Sequence, residues 1–144
     1  MGLRLLALPC RVCIHCFETI DVALTQYSRK VLDLTSADGP AIDSPSLVAD
    51  HGVYIMFFGS GCKTSTAYST WYATATDITG PYTRAKTAFL ETGTPFANLV
   101  APGGLDVGPG GANVLFAADL GDTADTRQLY SGQITIDGAQ VTFT

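Results

Sequence analysis

The chain has 144 residues, a formal charge of −5 at pH 7, and 15% charged side chains against 47% hydrophobic ones. That balance excludes a disordered chain, and the lack of a Lys/Arg stripe excludes a nucleic-acid binder, which must neutralise phosphates. One domain with a buried core is expected at this length, and no apolar run is long enough to cross a bilayer.

Residues 1–32 read as a leader of irregular or helical structure, sharing no pattern with the rest of the chain. Met1-Gly2-Leu3-Arg4-Leu5-Leu6-Ala7-Leu8 begins like a secretory signal, but Arg11 and His15 interrupt the apolar stretch. Cys10, Cys13 and Cys16 form C-x-x-C-x-x-C around His15, a spacing that can hold zinc or an iron–sulfur centre. The fourth cysteine, Cys62, lies in a different unit and no second C-x-x-C pair completes a site, so no metal or cofactor is assigned.

From Asp33 onward the pattern is all-β. Residues 46–49 and 53–58 predict two strands joined by the hairpin turn Asp50-His51-Gly52. Residues 69–76 alternate hydroxyl, aromatic and small side chains at period two, a third strand. Thr79-Gly80-Pro81 is a turn, and residues 82–89 form a fourth strand. The layout then returns. Residues 105–107, 113–118, 128–136 and 140–144 predict four more strands, with turns at 108–111 and Asp137-Gly138. Two copies of one four-stranded antiparallel unit are the size of propeller blades, so residues 33–144 are expected to form a partial β-propeller. Two blades do not close a ring, which points to the C-terminal part of a larger propeller. A small two-layer β-sandwich is the alternative.

Several motifs resemble the family 43 glycoside hydrolases, five-bladed propellers acting on arabinose- and xylose-containing polysaccharides. Ile42-Asp43-Ser44-Pro45-Ser46-Leu47-Val48 resembles the family's acidic, small, Pro, Ser, Leu strand. Residues 52–60 resemble its G-x-Y-Y-L-F-Y-S strand. Tyr72-Ala73-Thr74-Ala75 with Ile78-Thr79-Gly80-Pro81-Tyr82 resembles its Y-A-T-S and L-T-G-P-Y pair. Leu99-Val100-Ala101-Pro102-Gly103-Gly104 resembles the G-P-G-H turn that opens the next blade, and residues 127–138 resemble the closing strands. The sequence departs from the family at three places. Asp43 stands where the family has a glutamate acid, Gly104 where it has the turn histidine, and Ala117 where it has a second histidine. The family's general base and its third carboxylate lie on blades that precede these.

The resemblance implies an inverting glycosidase, which needs one carboxyl group to protonate the leaving oxygen and another to activate water. Asp43 is then the general acid. Its plainer reading is a turn aspartate ahead of Ser44-Pro45, bonding to nearby backbone. Arg127 is expected to reach the pocket as a substrate contact, or else to pair on the surface with Asp122 or Asp125. The hydroxyl-rich loop from Ser60 to Tyr68 is expected to bind sugar. Phe57, Phe58, Tyr68, Trp71 and Tyr72 divide between stacking platforms and core. Glu91 reads as a solvated edge residue, Asp106 as a pocket or hairpin aspartate, and Asp119, Asp122 and Asp125 as a polar loop without calcium geometry.

The expected function is therefore hydrolysis of O-glycosyl bonds in plant cell-wall polysaccharides by an extracellular enzyme in truncated form. The alternative is a non-catalytic carbohydrate-binding or inactive propeller fragment. Neither a membrane nor a nucleic acid is expected as a partner, whereas self-association through an uncovered blade edge is.

Overall fold

A computed structural model describes residues 30–120 and 127–144. The cysteines and histidine of the leader, its signal-like start, and Asp122 and Asp125 lie outside the described residues.

Two four-stranded antiparallel meanders make up the fold. The first sheet runs β1 (Ile42–Asp50), β2 (Val53–Ser60), β3 (Ser69–Ala75) and β4 (Thr83–Arg84); the second runs β5 (Leu99–Val107), β6 (Asn113–Leu120), β7 (Gln128–Asp137) and β8 (Gln140–Phe143). The all-β, two-blade expectation is met. Strand β2 carries β-branched and aromatic residues that suit a pleated surface, Val53-Tyr54-Ile55-Met56-Phe57-Phe58. Its hairpin with β1 turns at His51 and Gly52, both at positive φ, which matches the twist of the flanking strands.

The core lies between the sheets. Ile55 and Phe57 project from one face of β2, and meet Tyr72, Phe89, Leu105, Val114, Phe116 and Val141. Aromatic rings carry the junction: Phe89 lies 5.4 Å from Phe57 and stacks on Phe143 at 4.7 Å. The opposite face of β2 is also covered. Met56 and Phe58 line a hollow with Val31, Leu32, Ile42 and Pro45, and Arg84 lies over the Phe58 ring at 4.9 Å.

Three elements differ most from expectation. β1 begins four residues earlier than predicted, at Ile42, because a bulge absorbs Ser44 (φ 50°) and Pro45 without ending the pairing with β2. β4 is only two residues long. After Arg84 the chain leaves the ladder and returns at Leu90, which bridges Thr70. β5 starts at Leu99, not at residue 105. Positive φ at Ala101 and Gly104 bends this strand through two register shifts, so the stretch expected as a turn is part of the sheet.

The first strands of the two sheets are tied directly. Ser46 Oγ donates to Asp106 Oδ1 at 2.7 Å and accepts from the Val107 N–H at 3.0 Å. Further along, the Thr70 hydroxyl donates to the Pro102 carbonyl at 3.3 Å. Asp106 thus joins β1 to β5, a role that neither sequence reading of it anticipated.

Candidate active site

Asp43 sits near the start of β1, opposite Gly59 of β2, and is half-buried. The Tyr68 hydroxyl donates to its Oδ1 at 2.5 Å. Tyr68 comes from the end of the loop between β2 and β3, and only 3% of its surface is exposed. Its ring occupies a slot between the two sheets. A methyl group added at Gly59 would overlap the phenol oxygen and the Asp43 carboxylate, and one added at Gly103 of β5 would overlap the ring. Glycine is required at both places by this close approach. Burial pushes the Tyr68 phenol well above the ordinary tyrosine range, and the hydrogen bond and charge of Asp43 push it further; the Ser44 hydroxyl and the Arg127 charge oppose them.

Arg127 lies behind the Tyr68 ring, its guanidinium carbon 5.6 Å from the ring centroid. Nη1 donates to the Ala101 carbonyl at 2.9 Å and Nη2 to the Ala117 carbonyl at 2.5 Å. These two bonds clamp β5 to β6 where β5 bends. Ala101, fully buried, holds φ at 51°, a conformation that costs a side-chain-bearing residue on the order of 1 kcal/mol. Its carbonyl is held by Arg127, and its N–H donates to Thr92 Oγ1 at 3.0 Å.

Among the described residues, Arg127 pairs with Asp119, Nη1 lying 3.8 Å from Oδ2. Asp119 is a correction to the sequence reading, which placed it in a polar loop. It lies on β6, 1% exposed, and neither carboxylate oxygen has a hydrogen-bond partner among the described residues. Gly121-Asp122, which follows after Leu120, makes the stretch look like a loop, while the strand runs two residues beyond the predicted end at Ala118.

The structure brings Asp43, Tyr68 and Arg127 into one chain of contacts, and Ser60 is not in it. Ser60 follows Gly59 on β2 and so projects from the opposite face. Its hydroxyl, in a side chain 4% exposed, donates to Asp38 Oδ1 at 2.9 Å. Arg84 Nη1 reaches that same oxygen at 2.7 Å, while the Thr35 N–H and hydroxyl donate to Oδ2. Burial acts to raise the Asp38 carboxyl, but Arg84, Thr35 and Ser60 outweigh it and hold the group below the usual carboxylate range. Arg84 Nη2 also donates to the Asp33 carbonyl at 2.6 Å. This cluster fastens residues 33–38 to the first sheet.

Of the aromatics, Phe57 and Tyr72 belong to the core between the sheets, Phe58 lies under Arg84, and Trp71 is half-buried with its Nε1 donating to Ser69 Oγ at 3.0 Å. Glu91 is exposed in a turn that closes on Thr94.

No protein-family model matches the chain, and no curated protein matches it in sequence. Solved structures match it in fold. An endo-1,4-beta-xylanase from Bacteroides thetaiotaomicron superposes with a TM-score of 0.64 at 22% identity, over 77% of this chain and 41% of that one. A thermostable family-43 glycoside hydrolase gives 0.59 at 18% identity, over 77% and 39%. The alpha-L-arabinanase of Cellvibrio cellulosa, solved with arabinohexaose, gives 0.58 at 17% identity, over 72% and 36%. The chain spans less than half the length of each. The likeness is one of fold: two sheets arranged as in the structures of family 43 glycoside hydrolases.

Proposed function

We propose that the chain contributes the general acid of a glycoside hydrolase acting on arabinose- or xylose-containing plant polysaccharides, outside the cell. The observation that carries the reading is the placement of Asp43. A half-buried carboxyl stands at the head of the first strand of a blade, held by a buried phenol, in a fold like that of enzymes named for xylan and arabinan. In this reading Asp43 protonates the leaving oxygen. Inversion also needs a second carboxyl group to activate water. Tyr68 and Arg127, whose polar groups are engaged within the protein, support the acid, and Ser60 belongs to the framework around Asp38.

A non-catalytic carbohydrate-binding role is the second reading. It is favoured by Gly104 and Ala117, which offer no imidazole where the family resemblance expects one. Self-association is proposed with either. Leu115 and Leu129 project from the same face of the second sheet, 48% and 72% exposed, an apolar surface with the character of a blade-to-blade contact.

Hydrolysis of nitrophenyl arabinofuranoside and xyloside, with Asp43→Asn as the control, separates the readings. Release that disappears in the variant supports the enzyme. No release together with retention on insoluble arabinan supports the binding module.

A further inference from the structure

We propose that Tyr68 is a positioning residue for the acid: wedged between Gly59 and Gly103 and backed by Arg127, it commits Asp43 Oδ1 to the phenol and leaves Oδ2 to carry the proton. The proposal rests on the glycosidase reading and assigns Tyr68 a role different from the sugar contact that its loop suggests.

Three observations carry it. The phenol oxygen lies 2.5 Å from Oδ1, a distance typical of hydrogen bonds that involve a charged partner. The ring is 3% exposed, so little of it is available to stack on a sugar. The slot is shaped for this ring, since glycine clears it on both sides, one from each sheet. A side chain fixed from two blades at once cannot swing away without separating them. Asp43 is thereby tied to the junction of the sheets, although β1 bulges directly after it, between Asp43 and Ser46.

The chemical consequence lies in the proton transfer. The Oδ2–H proton passes to the glycosidic oxygen as that oxygen's bond to the anomeric carbon breaks and a water oxygen bonds to that carbon from the opposite face, its proton passing to the second carboxyl group. The bonding electron pair leaves with the oxygen, which departs as an alcohol, and Asp43 is left as a carboxylate. A hydrogen bond from Tyr68 to Oδ1 is stronger to that carboxylate than to the neutral acid. It therefore stabilises the charge as it develops in the transition state, which raises the rate of the chemical step rather than the affinity for substrate. The phenol must keep its proton to do this, and burial beside Asp43 keeps it protonated far above neutral pH.

Two measurements on the whole chain test the proposal, one independent of activity. The phenolate absorbance of the wild type minus that of Tyr68→Phe gives the Tyr68 titration. The same difference between Asp43→Asn and the Asp43→Asn/Tyr68→Phe double variant gives it without the carboxylate. The expected result is ionisation of Tyr68 at distinctly lower pH once Asp43 is neutral. An unmoved titration overturns the coupling. In hydrolysis, Tyr68→Phe is expected to lower kcat roughly tenfold with KM within about twofold, the size of one charged hydrogen bond. A raised KM at unchanged kcat would instead make Tyr68 a sugar contact and overturn the role. Absence of hydrolysis by the wild type counts against the glycosidase reading, and the titration still decides the Tyr68–Asp43 pairing by itself.

Discussion

Tyr68 and Asp43 are 25 residues apart in sequence, yet a single 2.5 Å hydrogen bond joins the loop after β2 to the head of β1. The bond exists because Gly59 and Gly103 let the ring pass between the two sheets. The position of the carboxyl group is thus set by packing between blades, and not by its own strand alone.

Gly103→Ala tests this directly. The added methyl has no space beside the ring, so Tyr68 must shift or the sheets must part. Overpacking of this kind costs about 1–3 kcal/mol. The same change in a Tyr68→Ala background should cost much less, because the obstacle is gone. Equal losses in the two backgrounds, measured by chemical denaturation, would show that the slot is not what Gly103 provides.

Arg127 is expected to matter for stability through Asp119. Removing the guanidinium leaves a carboxylate that is 1% exposed and, among the described residues, has no hydrogen bond and no other countercharge. Breaking one side of a buried pair costs about 3–5 kcal/mol, whereas replacing both partners by apolar residues costs far less. Arg127→Met should therefore lower the unfolding midpoint more than the Arg127→Met/Asp119→Leu double variant does. Both variants lose the carbonyl clamps on Ala101 and Ala117, so the opposite order would mean that Asp119 stabilises the fold by something other than its pairing with Arg127.

Asp38 makes the stability depend on acid. Its folded-state carboxyl titrates below the usual range, so the unfolded chain binds its proton more readily. The stabilisation is complete above the ordinary aspartate value of about 4 and is lost as pH falls through the lower folded value. The difference in unfolding free energy between wild type and Asp38→Asn should be constant from neutral pH down to about pH 5 and shrink below about pH 4. A difference that grows on acidification would contradict the Arg84–Asp38–Thr35 network as described.

Leu129→Lys places a charge on the exposed apolar face of the second sheet. If that face mediates self-association, sedimentation velocity should show larger species for the wild type and their loss in the variant, with little change in the melt. A wild type that stays monomeric at high concentration removes the proposal.

Much of this fold is legible in the sequence because it rests on local rules. The His51-Gly52 turn announces the β1–β2 hairpin, and the β-branched and aromatic run of β2 announces a central strand. The second unit is found by its likeness to the first. What local rules cannot give is register between distant segments. The loop that ends at Tyr68 looks like a hydroxyl-rich sugar contact until the pairing of Asp43 with Gly59 is known. Two small residues, Gly59 and Gly103, are the available sign that something large passes between the sheets. Asp119 is hidden for a different reason. An acidic residue two positions before Gly121-Asp122 is read as solvated, since fully buried carboxylates are rare. The bend of β5 escapes a local reading for the same reason as the bulge of β1. Positive φ at Ala101 goes with a contact remote in sequence, the Arg127 bond to its carbonyl.

The role of Asp43 as general acid is tested most directly by how its loss depends on the leaving group. A glycosidic alcohol needs a proton to depart, while dinitrophenolate leaves without one. Asp43→Asn should slow hydrolysis of arabino- or xylo-oligosaccharides by about 10²–10⁴-fold, the usual contribution of a positioned acid, and slow a dinitrophenyl glycoside far less. Equal slowing of both substrates, or none of either, would contradict the account.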